Sequence, residues 1–154
     1  MNLRIEKYQD KYKSEIVNVW EKSVLSTHRF LKEKDFLAIK KTLQEMDFES
    51  LNVFCLMNDC EIIGFIGLDK TKIEMLFLDP NYIGKGLGKQ LIEFAFSNFH
   101  AARVDVNEQN TNAVEFYKKF GFETFERTEK DNSGKSYPLL KMRLMNDNKN
   151  IHNR

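Results

Sequence analysis

The chain has little cysteine, little proline and no excess of charge of either sign, and each shortage removes a class of protein. Two cysteines, Cys55 and Cys60, are too few for a disulfide framework. With three scattered histidines they match no zinc-ligand spacing, so no metal is expected. Two prolines and the lack of any Pro- or Ser-rich stretch leave nothing that reads as an interdomain linker. Lys plus Arg number 24 against 23 Asp plus Glu, a formal net charge of +1. Nucleic-acid binders and membrane-surface proteins usually carry a basic excess, so neither partner is expected. No window approaches 18 uncharged apolar residues, which excludes a spanning helix. The segment Met1-Asn2-Leu3-Arg4-Ile5-Glu6-Lys7-Tyr8 turns polar too soon for a signal peptide, and the expected compartment is the reducing cytoplasm.

What is present is a core. The 154 residues are 42% hydrophobic and include 13 Phe, enough for one domain. A chain of this size buries about 70% of its unfolded surface. The domain is expected over residues 1–144, with 145–154 as a polar tail in which only Ile151 is apolar beyond Met145.

Residues 2–8 alternate weakly and suit a first strand. Ile16, Val17, Trp20, Val24 and Leu25 recur at helical steps between Lys11 and Thr27. A second helix is expected from Glu33 to Met46, with Phe36, Leu37, Ile39, Leu43 and Met46 as its apolar set. The period then shortens. Residues 52–57 and 62–68 read as a hairpin around Asn58-Asp59-Cys60-Glu61, and 73–78 as a third strand closed by Asp79-Pro80. A largely buried helix follows, with Leu87, Leu91, Phe94 and Ala95 as one stripe and Ile92, Phe96 and Phe99 widening it. Next come a strand with Val104 and Val106, a helix from Asn110 or Thr111 to a stop at Gly121, and a hairpin of 122–130 with 135–144. The order β-α-α-β-β-β-α-β-α-β-β makes a mixed α/β (α+β) domain.

The most informative stretch is Leu76-Phe77-Leu78-Asp79-Pro80-Asn81-Tyr82-Ile83-Gly84-Lys85-Gly86-Leu87-Gly88-Lys89-Gln90-Leu91. It reads strand, glycine-rich turn, helix. Glycines let backbone N–H groups face a ligand without a Cβ between them, and the helix start adds a positive dipole, together a seat for a phosphate. The P-loop spacing fails, because Ile83 and Gln90 stand where glycine and Ser or Thr belong. The dinucleotide fingerprint fails too, since the spacing is G-x-G-x-G and no βαβ opening precedes it. A tight turn with no ligand stays open at this point.

Downstream lies Asn107-Glu108-Gln109-Asn110-Thr111-Asn112-Ala113-Val114-Glu115-Phe116-Tyr117-Lys118-Lys119-Phe120-Gly121-Phe122. The two segments in this order resemble the GCN5-related N-acetyltransferase (GNAT) superfamily, over about Leu3 to Leu144. Val19-Trp20, Ser23-Val24, Thr27-His28, Phe30-Leu31, residues 106–122, and Gly134-Lys135 with Tyr137-Pro138-Leu139-Leu140 resemble its YjaB-like bacterial subgroup. The resemblance implies a mixed sheet of about seven strands flanked by about four helices, with a splayed strand pair holding acyl-CoA. It implies acetyl-CoA as co-substrate, used without a metal. The pyrophosphate would lie on the N–H groups of Gly84, Lys85, Gly86, Leu87, Gly88 and Lys89, and the pantetheine arm on the backbone of Phe77 and Leu78. Asn110 matches a cofactor-contacting asparagine. Ile83 stands where the family usually has Arg or Gln, and it offers only its N–H and apolar contact.

For catalysis the resemblance places Tyr117 as the general acid. A phenol of pKa near 10 protonates a departing thiolate only when well placed, and a ring packed in the core is the alternative. An acceptor amine is mostly protonated at pH 7 and needs a base. Glu74, on the strand leading to the thioester, is the first candidate, with a solvated strand carboxylate as the other reading. His28 is the second, as a proton shuttle beside the acceptor cleft or as a helix-end hydrogen-bonding residue. Trp20 and Phe30 stand between pocket and core, while His100 and His152 read as bystanders. The expected function is transfer of acetyl to a primary amine of a small molecule or peptide in a ternary complex. The alternative is a non-catalytic acyl-CoA sensor or interaction module on the same fold. Either a monomer or a homodimer fits.

Overall fold

A computed structural model describes residues 1–145; the expected polar tail lies, beyond Met145, outside the described residues. The elements are β1 (Leu3–Lys7), α1 (Lys13–Thr27), α2 (Glu33–Glu45), β2 (Asn52–Asn58), β3 (Glu61–Asp69), β4 (Lys72–Leu78), α3 (Leu87–Phe99), β5 (Arg103–Asn107), α4 (Thr111–Lys119), β6 (Phe122–Thr128) and β7 (Leu139–Leu144), with single 3-10 turns at 10–12, 48–50 and 80–82. The strands form one seven-stranded sheet in the order β1-β2-β3-β4-β5-β7-β6. Every pairing is antiparallel except β4 with β5.

Alternation along the strands divides the core in two. Val53, Cys55 and Met57 of β2 face a cluster with Ile16, Val17, Trp20 and Val24 of α1. Phe54 and Leu56 point the other way, toward Leu87, Leu91, Ile92 and Ala95 of α3 and Val114 and Tyr117 of α4. The sheet thus lies between α1 and α2 on one face and α3 and α4 on the other. Burying these side chains at about 25 cal/mol per Å² is the main stabilising contribution.

The helices differ from expectation where a second wall is missing. Leu25 is 62% and Leu37 54% exposed, and Ile39 also reaches solvent, so α2 buries only Asp35 and Leu43. Helical periodicity identifies an apolar face but not what covers it. The last hairpin is shorter than read. Residues 129–138 leave the ladder because Asp131 Oδ1 accepts from the N–H groups of Ser133 (3.0 Å) and Lys135 (2.9 Å), and Tyr137 reaches across to α2.

Candidate active site

The site begins where the sheet opens. β4 pairs with β5 only at Lys72↔Arg103 and Ile73↔Val104. Beyond that, β4 continues along β3 to Leu78 while β5 follows β7 to Asn107↔Leu139. The β5-facing backbone groups of the rest of β4, Phe77 and Leu78 included, are left without a strand partner. Such groups seek one. The opening coincides with a bulge: Gly67 opposes Met75 and Leu68 opposes Ile73, so Glu74 is the unpaired extra residue. It switches the facing of β4, with Ile73 in one core and Met75 against the other.

The phosphate seat follows β4. Asp79 is buried, accepts from the N–H of Asn81 at 3.0 Å and pairs with Lys22 of α1 at 3.3 Å, which fixes where the turn starts. Gly84 and Gly86 have φ of +86° and +76°, and a Cβ on either would meet nothing within 4 Å. The left-handed backbone and the open space together fit a ligand lying directly over the chain. The N–H groups from Gly84 to Lys89 donate to nothing among the described residues. Lys85 and Lys89 are exposed beside them with no carboxylate partner there, and Ile83 is 55% exposed. Unbonded N–H groups, a helix start and two free cations suit a pyrophosphate.

Gly88 seats α3 against its neighbours. A Cβ there would lie 3.0 Å from Phe116 of α4 and 3.6 Å from Leu78 of β4. Tyr117, the next residue of α4, is buried between the rings of Phe116 and Phe122 at 5.2 and 5.5 Å. Burial pushes its phenol well above the ordinary value. Its hydroxyl has no hydrogen-bond partner among the described residues, yet no fully sealed side-chain oxygen lacks one there, so the tip reaches solvent. Asn110 caps α4, its Oδ1 accepting from the N–H of Ala113 at 3.2 Å, which leaves Nδ2 to donate elsewhere.

A groove of about 790 Å³ runs between α2 and β4, lined by Trp20, Ile39, Leu43, Met75 and Phe77 with Glu74, Asp69 and Lys135 at its polar edge. A smaller cavity of about 230 Å³ occupies the splay, lined by Ile73, Glu74, Asp105, Asn107 and Leu139 among others. Glu74 lines both. Its carboxylate is 3.3 Å from Lys72 Nζ, which also pairs with Asp105 at 3.0 Å. Burial alone would push Lys72 down, but the two carboxylates outweigh it and hold the ammonium above its usual value. Burial likewise raises Asp105, and Lys72 with Asn132 Nδ2 (3.2 Å) outweighs that and holds its carboxyl low.

Of the residues singled out in the sequence, Phe77 and Glu74 lie on the groove, with Trp20 both in the core and on its wall. Phe30 does not line it. His28, the second candidate base, is the C-cap residue of α1 and does not line the groove either, a placement that fits its helix-end reading. Thr27 donates its hydroxyl to Ser23 O (2.8 Å), so at 2.7 Å His28 Nδ1 must donate to Thr27 Oγ1. Burial lowers the imidazole below its ordinary value. Asp35, Lys135 and the hydroxyl of Tyr137 were not foreseen, because no local pattern joins residues a hundred positions apart.

The family model for an acetyltransferase (GNAT) domain matches residues 10–144. The chain is 34% identical to the peptidyl-lysine N-acetyltransferase YjaB of Salmonella typhimurium over 142 residues, 92% of this chain and 97% of that protein. The solution structure of apo YjaB from Escherichia coli superposes with a TM-score of 0.87 at 33% identity, over 94% of this chain and 99% of that one. The fold is shared with the PaiA N-acetyltransferase of Thermoplasma acidophilum, solved in complex with coenzyme A, at a TM-score of 0.74 and 20% identity over 94% and 100% of the two chains. The chain belongs to the GNAT acetyltransferases. It is an N-acetyltransferase that takes its acetyl group from acetyl-CoA.

Proposed function

We propose that the acceptor is the side-chain amine of a lysine in a peptide or protein, entering along the groove and reacting in the splay, in a bacterial cytoplasm. The observation that carries this is the position of Glu74, which borders both the apolar groove and the polar cavity. A lysine has an apolar stem and a charged head, and this path offers an apolar wall followed by a carboxylate. The names of the 34% identical relatives point the same way. The balanced overall charge speaks against a nucleic-acid or membrane partner.

In this reading the N–H groups of Gly84 to Lys89 hold the pyrophosphate, Lys85 and Lys89 add charge, and Asn110 Nδ2 donates to the cofactor. Backbone groups of Phe77 and Leu78 hold the pantetheine arm and polarise the thioester carbonyl. Glu74 takes a proton from the ammonium, directly or through water, and frees the nucleophile. The amine forms the C–N bond as the C–S bond breaks, Tyr117 gives its proton to the departing sulfur, and the second proton lost by the nitrogen returns through water to the phenolate. Burial keeps the phenol protonated at neutral pH but makes it a weaker acid, so the transfer rests on its placement against the sulfur.

Free CoA thiol, read with DTNB, tests the acceptor. Turnover is expected with amidated, N-acetylated peptides carrying one lysine, and not with the same peptides carrying Nε-acetyl-lysine. Turnover confined to polyamines or other small amines would overturn the assignment.

A further inference from the structure

The first turn of α2 contains a carboxylate that suits the helix start but whose burial that position does not explain. Asp35 is 5% exposed, in a helix that buries only one other residue, Leu43. Both of its oxygens are taken by the segment between β6 and β7. Tyr137 donates its hydroxyl to Oδ2 at 2.5 Å, and Lys135 Nζ sits 3.0 Å from Oδ1. The same hydroxyl accepts from the N–H of Lys32 at 3.0 Å, one residue before the helix. Tyr137 is itself buried, with its ring 6.0 Å from that of Phe30.

These contacts span the groove. One wall is the α2 face with Ala38, Ile39, Thr42 and Leu43; the opposing edge is Asn132, Ser133 and Lys135. At its far end α2 is tied by Lys13 Nζ to the carbonyls of Gln44 (3.2 Å) and Met46 (2.6 Å). At its near end Asp35 is the tie. Asp35 is buried while Lys135 is exposed, and such a pair adds little to stability, whereas its directional bonds fix register. We infer that Asp35, Tyr137 and Lys135 are positioning residues, a clasp that sets the spacing between the two walls of the acceptor groove. The inference rests on the reading of the groove as the acceptor path. The hydrogen bonds hold the Asp35 carboxyl below its usual range, so the clasp is charged throughout the neutral range.

Trp20 provides an independent reporter. It is the only tryptophan, and its ring stacks on Phe36, the neighbour of Asp35, at 5.2 Å. Three variants test the clasp: Tyr137→Phe, which keeps the ring; Lys135→Gln, which removes the charge; and Lys135→Arg, which retains it. Each is assayed with the best lysine peptide and titrated with CoA by calorimetry. Tyr137→Phe and Lys135→Gln should raise the peptide KM about three- to tenfold, the worth of one hydrogen bond. Their kcat and CoA affinity should stay near wild type, and Lys135→Arg should stay near wild type throughout. An unchanged KM in Tyr137→Phe and Lys135→Gln, or a loss in kcat or CoA affinity instead, overturns the clasp. If wild-type protein turns over no lysine peptide, the acceptor reading fails by itself, and acrylamide quenching of Trp20 decides the clasp. Stronger quenching in Tyr137→Phe and Lys135→Gln with CoA affinity intact supports it, and unchanged quenching overturns it.

Discussion

Three side chains carry separable consequences. The Tyr117 hydroxyl has no hydrogen-bond partner among the described residues, so Tyr117→Phe leaves no buried donor or acceptor unsatisfied there and should not lower the melting temperature. Loss of a general acid costs about 10²–10⁴ in rate. The expected result is a fall in kcat with CoA affinity unchanged; wild-type kcat, where chemistry limits turnover, would make Tyr117 a packing residue. Ile83 is 55% exposed, so Ile83→Arg creates no buried charge. If the pyrophosphate lies beside it, a charge-assisted contact of about 1.5 kcal/mol should tighten CoA binding roughly tenfold, with a gain that shrinks as salt rises. No gain at low salt would move the phosphates away from position 83. His28 has a folded-state pKa depressed by burial, so the unfolded chain takes up its proton first as pH falls. Its contribution to stability is full above about pH 6.5 and declines below that toward the lower folded value. Wild type should lose more melting temperature than His28→Gln between about pH 7.5 and 5.5. Equal losses would mean that His28 titrates as in the unfolded chain.

At the scale of elements, the seam of β4, α3 and α4 depends on Gly88. Glycine inside a helix costs about 1 kcal/mol relative to alanine, and here it makes room for Phe116. Gly88→Val would push into that ring at 3.0 Å, and overpacking of this kind costs about 1–3 kcal/mol. The melting temperature should fall by several degrees, roughly 2–4 °C per kcal/mol at this size, and kcat with it as Tyr117 shifts. An unaltered melting temperature would show the seam to be loose. Much of this scale was legible beforehand, because periodicity, glycine stops and the strand–turn–helix pattern are local. The order of elements and the glycine turn could be read that way, and the spacing from Asn110 to Tyr117 could be matched to a family. The bulge at Glu74 could not, since it exists only relative to β3. Nor could the exposure of Leu37 or the burial of Asp35. Each is decided by a partner remote in sequence, and the hairpin ends moved because Tyr137 bonds to α2 instead of to a strand.

At the scale of the molecule, the sheet is two antiparallel blocks, β1 to β4 and β5 to β6, joined by two residue pairs. One hydrophobic cluster bridges them, with Ile63 and Ile66 from the first block and Val104, Val106 and Met142 from the second. A ligand held by Phe77, Leu78 and the glycine turn on one side and by Asn110 and Tyr117 on the other would tie the blocks where the ladder does not. It would then bind the folded state alone. At a hundredfold excess over Kd such a ligand stabilises by about 2.7 kcal/mol, and at this size that raises the melting temperature by roughly 5–10 °C. Pantetheine, without the pyrophosphate, should give a smaller shift at equal concentration. Gly86→Glu separates the seat from the rest. Its left-handed backbone adds a cost of about 1–2 kcal/mol and lowers the ligand-free melting temperature a few degrees. The new carboxylate, in open space over the turn, should abolish the CoA-induced rise by repelling the phosphates. Differential scanning calorimetry with and without CoA reads both effects on one sample. A full CoA-induced rise in folded Gly86→Glu protein would place the pyrophosphate elsewhere and undo the assignment of the glycine turn.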